Sequence, residues 1–177
     1  RKNKDIFVVT PAMETGSGLV EYAQEFPDRY CDVGIAEEHA VTFCAGLARQ
    51  GLRPILSIYS TFMQRGYDQL VHDVCLQKLP VVFALDRAGF VGEDGPTHHG
   101  VLDYCFMLPI PNLTILAPKD GAELEDMMAW SVKQDLPVSI RFSKSEVPSQ
   151  DGSKRAVIQD AVSEVLCDSP DECDSPD

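Results

Sequence analysis

No basic run occurs anywhere in this sequence, and acidic residues outnumber basic ones 28 to 15, for a formal net charge of −13. A surface that neutralises nucleic-acid phosphates needs clustered Lys and Arg, so that class of partner is excluded. No apolar stretch approaches the length needed to cross a bilayer, and no signal-peptide pattern is read at the start. The six cysteines, Cys31, Cys44, Cys75, Cys105, Cys167 and Cys173, form no CxxC and no metal-ligand spacing with histidine. A tetrahedral zinc site needs clustered ligands that this spacing does not offer. Most of the cysteines lie in apolar context and read as small core residues of a reduced compartment.

What is present fits an ordinary globular chain. At 177 residues and 44% hydrophobic, it suits one domain with a sizeable core. Residues 1–150 carry the patterned part. Residues 151–177 end in Cys167-Asp-Ser-Pro-Asp-Glu-Cys-Asp-Ser-Pro-Asp177, acidic and nearly free of apolar side chains. Such a segment buries too little surface to offset its chain entropy, so it is expected to be a tail or linker, disordered in part. The abrupt start and this end together suggest a piece of a longer polypeptide.

Short apolar strands alternate with helical patterns. Strands are expected at Ile6–Thr10, Tyr30–Val33, Pro54–Tyr59, Leu79–Leu85, Leu113–Leu116 and Pro137–Phe142. Helices are expected from Leu19 to the Pro27 stop, from about Ala36 to Arg49, from Thr61 to Leu76, and from the Asp120 cap to about Lys133. Asp120 with Glu123 has the spacing of a capping box. A loop from about Asp86 to Asp103 precedes the fifth strand. Largely apolar strands separated by helices indicate a mostly parallel sheet of about six strands covered on both faces, a three-layer α/β/α sandwich. Ligands bind such sheets at the carboxyl ends of the strands. Glu37, Phe62, Arg65, Arg87 to His98 and Arg141 all fall there, which predicts one shared site without saying what it binds.

Glu37, Glu38 and His39 open the second helix. A glutamate in a first helical turn is at ease near the positive end of the dipole, worth roughly 0.3–1 kcal/mol. That accounts for one of them. The helix that follows (Ala40, Val41, Phe43, Cys44, Ala45, Leu47, Ala48) is too apolar for an exposed element. A carboxylate covered there needs a charge, a donor or a proton. Residue types alone leave both the helix-start reading and the ligand-binding reading open.

Val33-Gly-Ile-Ala-Glu-Glu-His-Ala40 resembles the pyrimidine-binding segment of thiamine-diphosphate enzymes of the transketolase type, and among them the 1-deoxy-D-xylulose-5-phosphate synthases. Four further segments agree in order: Thr10-Pro-Ala-Met-Glu-Thr-Gly-Ser-Gly18, Ile58-Tyr-Ser-Thr-Phe-Met-Gln-Arg-Gly-Tyr-Asp-Gln69, Leu85-Asp-Arg-Ala-Gly-Phe-Val-Gly-Glu-Asp-Gly-Pro-Thr-His98 and Pro137-Val-Ser-Ile-Arg141. Any one motif is weak, but five collinear ones are specific.

The resemblance implies roles. Glu37 would hydrogen-bond N1′ of the aminopyrimidine and favour its imino tautomer. Phe62 would stack on that ring, with Ile35 as a second cofactor contact. Tyr59 and Arg65 would line the substrate channel. Arg87 and Arg141 would take the phosphate of glyceraldehyde 3-phosphate, since a guanidinium fork matches phosphate geometry. These arginines would act locally against the unfavourable field of an acidic chain. His98 would donate to, or shuttle a proton for, the pyruvate-derived group, and Asp94 is a catalytic candidate beside it. Glu38 reads as a solvated neighbour, His99 as neutral to function and His72, beside Asp73, as structural. The family commonly has Tyr-Pro-Arg after the last arginine, where this chain has Phe142-Ser-Lys144.

Enzymes of this type hold the diphosphate through a divalent ion, using Gly-Asp-Gly followed by Asn. That pair is missing, so no metal ligand is assigned here. Thiamine diphosphate and Mg²⁺ are the implied cofactors, with the diphosphate half supplied by an N-terminal domain. A C-terminal domain would complete the polypeptide, and the whole is expected to be a homodimer. The implied reaction joins pyruvate and D-glyceraldehyde 3-phosphate into 1-deoxy-D-xylulose 5-phosphate with loss of CO2, feeding isoprenoid, thiamine and pyridoxal synthesis. A bacterial cytoplasm is expected, with a plastid open. The alternatives are another ketose-phosphate transferase of this type, or a non-catalytic regulatory module with the same fold.

Overall fold

The computed structural model describes residues 3–144. Six strands form one sheet: β1 (Ile6–Thr10), β2 (Tyr30–Asp32), β3 (Arg53–Tyr59), β4 (Val82–Asp86), β5 (Thr114–Leu116) and β6 (Val138–Arg141). Their order is β2-β1-β3-β4-β6-β5, and every pairing is parallel. Parallel neighbours cannot be joined by a tight turn, so each connection must cross a face. The α-helices are α1 (Val20–Glu25), α2 (Glu37–Arg49), α3 (Tyr67–Gln69), α4 (Asp103–Met107) and α5 (Gly121–Ser131).

Side chains alternate across each strand, and the core divides accordingly. Leu56, Ile58, Phe83 and Leu85 pack with Val41, Cys44 and Ala45 of α2 and with Leu70 and Val74 beyond β3. Val82, Val138 and Ile140, with the half-buried Ile55, meet Met127 and Leu124 of α5. The register Ile55↔Val82↔Val138 aligns that second set on one face. The expected three layers are therefore present. Each Val- or Leu-sized side chain so covered contributes about 1.5–3 kcal/mol, and this burial holds the strand ends in fixed relative positions.

Several boundaries differ from the sequence reading. β4 begins at Val82 rather than Leu79, because Pro80 has no N–H to give a neighbour and Val81 turns its N–H back to the Leu79 carbonyl at 2.8 Å. The helix expected over 61–76 is composite: a 3₁₀ segment at Phe62–Gly66, the single turn of α3, then a π-helix at Leu70–Cys75. Gly66 lets this segment come against α2, since a Cβ there would lie 2.8 Å from Val41 Cγ2. The α5 cap is half a capping box. Asp120 Oδ1 accepts from Glu123 N at 2.8 Å, but Glu123 Oε2 accepts from Lys119 N at 2.7 Å instead of returning to Asp120.

The cysteine expectation holds in part. Cys44 and Cys75 are buried, Cys31 is half-buried and Cys105 is exposed. Burial pushes the Cys75 thiol up to about 12 and raises that of Cys44 as well. His72 pairs with Asp68 at 3.0 Å, not with Asp73, whose carboxylate instead takes the Thr42 hydroxyl at 2.5 Å. The acidic segment 151–177, with Cys167 and Cys173, lies outside the described residues.

Candidate active site at the carboxyl ends of the strands

The turn from β2 into α2 is pinned before it delivers Glu37. Asp32 Oδ1 accepts from Ala12 N and from Gly34 N, both at 2.9 Å, tying this turn to the loop after β1. Gly34 sits at φ +74°, a conformation open to glycine and strained for other residues. Ile35 is left 83% exposed, an unusual position for a large apolar side chain, while Glu37 is only 3% exposed. Glu38 and His39 face solvent, as expected for Glu38. Glu37 Oε1 takes a hydrogen bond and ion pair from Arg65 Nη1. Its Oε2 has no hydrogen-bond partner among the described residues. A carboxylate so deeply covered, with one oxygen held and the other open, is set to accept from a further donor.

Arg65, half exposed, also lies 5.0 Å over the ring of Phe62. Phe62 stacks with Tyr59 at 5.8 Å between centroids and meets the edge of His98 at 5.3 Å. Burial raises the Tyr59 phenol above its ordinary value against the pull of Arg87. His98 Nδ1 and the Thr97 hydroxyl share a hydrogen bond of 2.9 Å. Glu37, Arg65, Phe62, Tyr59 and His98 thus form one continuous series of contacts drawn from three separate connections.

Arg87 follows β4 in the left-handed region, φ +59°, and is buried. That conformation costs a non-glycine residue about 1–2 kcal/mol and persists because its partners hold it. Asp86 Oδ1 accepts from Arg87 N and Asp86 Oδ2 from Arg87 Nη1, both at 2.6 Å. Nη1 also reaches Gly16 O at 3.1 Å, and Nε reaches Asp94 Oδ2 at 3.2 Å. The guanidinium lies 3.8 Å over the Tyr59 ring. A Cβ at Gly16 would fall 1.8 Å from Tyr59 Oη, so a larger residue there would have to displace the tyrosine. Lys144 Nζ donates to Asp94 Oδ1 at 2.6 Å, so the lysine after Phe142-Ser143 brings a basic group to the same cluster. Burial raises the Asp86 carboxyl above its ordinary value, against the pull of Arg87. Lys144 and then Arg87 hold Asp94 below the ordinary value. Beside Lys144 is an open recess of about 330 Å³, lined also by Phe90, Val91, Gly92 and Glu93.

Arg141 ends β6. Its Nε donates to Asp103 Oδ2 at 2.8 Å, and its guanidinium lies 4.2 Å over the Tyr104 ring. Burial alone would lower its pKa, but the hydrogen bond and charge of Asp103 outweigh that and the net shift is upward. His99, read as neutral, accepts from Val91 N at 3.2 Å and braces Phe90 at 5.2 Å, so it shapes the loop.

Sequence reasoning assigned Arg65 to a substrate channel and did not foresee its bond to Glu37. It singled out neither Asp86, Asp103 nor Ser60. Asp86 could have been found as an acidic residue closing an apolar strand. Asp103 and Ser60 carried no separate signal. Among the described residues no group of three or more His, Cys, Asp and Glu gathers to hold a metal ion.

A six-stranded parallel sheet with a covered carboxylate at the head of α2 and aromatic side chains beside it defines the pyrimidine-binding domain of transketolase-type proteins. The family described as transketolase, pyrimidine binding domain, matches residues 1–150, and this chain belongs to it. Within it, the chain is 59% identical over 143 residues to the 1-deoxy-D-xylulose-5-phosphate synthase of Oleidesulfovibrio alaskensis, covering 81% of this chain and 22% of that protein. It is 52% identical over 169 residues to that of Syntrophus aciditrophicus, covering 95% and 26%. The chain therefore spans about a quarter of the length of these relatives. Among solved structures, a split-gene transketolase described as an inactive β4 tetramer superposes with TM-score 0.73 at 28% identity, over 83% of this chain and 48% of that one. A Pichia stipitis transketolase in complex with sedoheptulose 7-phosphate gives 0.73 at 19% identity, over 84% and 24%, and speaks for the fold alone.

Proposed function

We propose that this chain is the pyrimidine-binding domain of a longer synthase that joins pyruvate to D-glyceraldehyde 3-phosphate, forming 1-deoxy-D-xylulose 5-phosphate and CO2. The observation that carries this reading is Glu37, buried, with one oxygen on Arg65 and the other without a partner. It stands near Phe62 and an exposed Ile35, in a chain more than half identical to such a synthase. These residues suit an aminopyrimidine, which has ring nitrogens to hydrogen-bond and flat faces to cover.

When bound, thiamine diphosphate would supply the electron sink for decarboxylating pyruvate and passing on its two-carbon unit. Glu37 then holds a proton at the pyrimidine ring nitrogen, and Arg65 keeps a positive charge against its other oxygen. Phe62 and Ile35 cover the ring and exclude water from it. His98, at the edge of Phe62, holds or moves a proton at the pyruvate-derived oxygen, with Asp94 in the same loop. Tyr59 lines the approach. Arg141 and Arg87 bind the acceptor's phosphate, and Arg87 needs Asp94 to move aside before its Nε is available. The diphosphate and its Mg²⁺ belong to an N-terminal domain of the same polypeptide, a C-terminal domain completes it, and the assembly is a cytoplasmic homodimer. The domain by itself is inactive.

The full polypeptide should release CO2 from pyruvate and form 1-deoxy-D-xylulose 5-phosphate. Glu37→Ala should lower turnover by roughly 10²–10⁴-fold, the usual share of a positioned proton-transfer group. Unchanged turnover would remove Glu37 from the chemistry. Cleavage of ketose phosphates without pyruvate decarboxylation would assign the domain to another transketolase-type enzyme.

A further inference from the structure

Arg65 touches two of the groups assigned to the pyrimidine ring at once. Its Nη1 donates to Glu37 Oε1, and its guanidinium lies 5.0 Å over the ring of Phe62. The backbone explains why one residue reaches both. Phe62–Gly66 is a 3₁₀ segment, and at three residues per turn the side chains i and i+3 eclipse. Phe62 and Arg65 therefore stand one above the other on one side, with Met63 and Gly66 aligned on another. Met63 and Gly66 are the buried pair, and Met63 is wholly covered in the core. Gly66 brings the segment against the start of α2, since a Cβ there would lie 2.8 Å from Val41 Cγ2 and 3.5 Å from Glu37 O. Gln64 Nε2 donates to Thr61 O at 2.8 Å and closes the first turn.

The last torsion of a glutamate is broad, so a carboxylate left to itself presents its oxygens over a range of directions. The bond from Arg65 ends that freedom. It ties Oε1 toward the 3₁₀ segment and gives Oε2 one direction. Glu37 is only 3% exposed, so water competes little for this ion pair. The same guanidinium makes a cation–π contact with Phe62. Carboxylate and aromatic ring are thereby set against one group. A planar ligand that is hydrogen-bonded along an edge and covered on a face needs both partners placed together, and that requires side chains locked by their neighbours.

We infer that Arg65 is a positioning residue for the cofactor's pyrimidine ring, holding the open oxygen of Glu37 and the ring of Phe62 in the relative placement that the pyrimidine requires. The inference rests on the assignment of Glu37 and Phe62 to that ring. Arg65 acts through these two side chains and sets how tightly the ring is held. The diphosphate end of the cofactor does not depend on it.

The test titrates the full polypeptide, freed of cofactor, with two ligands in the presence of Mg²⁺: thiamine diphosphate, and inorganic diphosphate, which has no ring. Arg65→Met should weaken thiamine diphosphate about tenfold, the usual scale of one charge-assisted bond, and leave inorganic diphosphate unchanged. Arg65→Lys keeps a cation for Glu37 but loses the planar group over Phe62, so it should weaken thiamine diphosphate only about threefold. In a Glu37→Leu background Arg65→Met should add less than about twofold, because the carboxylate it aims is gone. Unchanged affinity in Arg65→Met overturns the inference. So does an equal loss for both ligands, which marks a structural residue, or full additivity with Glu37→Leu. Glu37→Leu by itself judges the premise: if it leaves thiamine diphosphate affinity unchanged, the pyrimidine assignment fails and the inference falls with it. If Arg65→Met cannot be obtained folded, unchanged affinity in Arg65→Lys overturns the proposal.

Discussion

Arg87 and Arg141 leave the ends of neighbouring strands, with Leu85 of β4 in register with Arg141 of β6, and carry the same guanidinium into opposite circumstances. Arg87 is held by two carboxylates, a carbonyl and a tyrosine face, on a backbone of positive φ. Arg141 is held by one carboxylate through Nε and by Tyr104, through its ring face and a side-chain hydrogen bond. Arg87 ties three pieces of chain together, the loop at Gly16, the end of β4 and the loop at Asp94. Arg141 ties two, the end of β6 and the start of α4. The comparison teaches that residue type and strand-end position do not decide what an arginine does; the number of acceptors folded around it does.

The contrast should be largest in stability. Arg87→Met leaves Asp86 buried with its main partner gone, and breaking a buried pair in this way costs about 3–5 kcal/mol. Arg141→Met should cost less, about 1–3 kcal/mol, because Asp103 keeps Ser60 Oγ and Tyr104 N as donors. Urea unfolding of both variants measures the difference, and equal losses would erase the distinction. Gly100→Ala strikes both arginines at once, since its Cβ would stand 2.5 Å from Arg87 O and 2.6 Å from Ser60 Oγ. Overpacking against backbone predicts a loss of about 1–3 kcal/mol; a neutral result would mean that the two clusters are not mechanically joined through residue 100.

The smallest effect lies in the titration of the acids around Arg87. Asp94, held below the ordinary carboxylate value by Lys144, contributes stability that is present above the unfolded pKa of about 3.9 and is lost as pH falls through its lower folded pKa. Asp86 has the reverse sign. Its raised folded pKa means that ionisation costs stability, a cost incurred as pH rises through that value. Carboxyl-carbon NMR titration should place the two midpoints on opposite sides of about 3.9. Lys144→Ala should move the Asp94 midpoint upward while leaving urea stability within error, as expected for a partly exposed pair. An unmoved midpoint would show that Arg87 alone sets Asp94.

The sheet was legible because its signal is local. Apolar runs such as Ile6–Thr10 and Val82–Leu85 recur between helical patterns, and only a parallel sheet buries strands of that kind on both faces. The Glu37 region was legible for a different reason, an acidic turn at the head of an unusually apolar helix. Element ends were less so. Pro80 displaced the start of β4 by cutting one ladder bond, and the segment after β3 took 3₁₀ and π geometry where its pattern reads as one α-helix. The partners of the site's charges were not legible at all. Glu37 and Arg65 stand 28 positions apart, and Arg141 and Asp103 38 apart.

From the chain alone came the period of its apolar residues, and with it the parallel sheet and the end of it where Glu37, Phe62, Arg87, His98 and Arg141 gather. Those features depend on near neighbours, and a linear pattern records them. Only the tertiary structure decided that Arg65 closes on Glu37, that Asp94 spans Arg87 and Lys144, and that Ser60 and Asp103 back Arg141. Each of these pairings joins separate connections, which no local pattern records, and where a member is buried, as Glu37 and Asp103 are, leaving it unpaired would be costly.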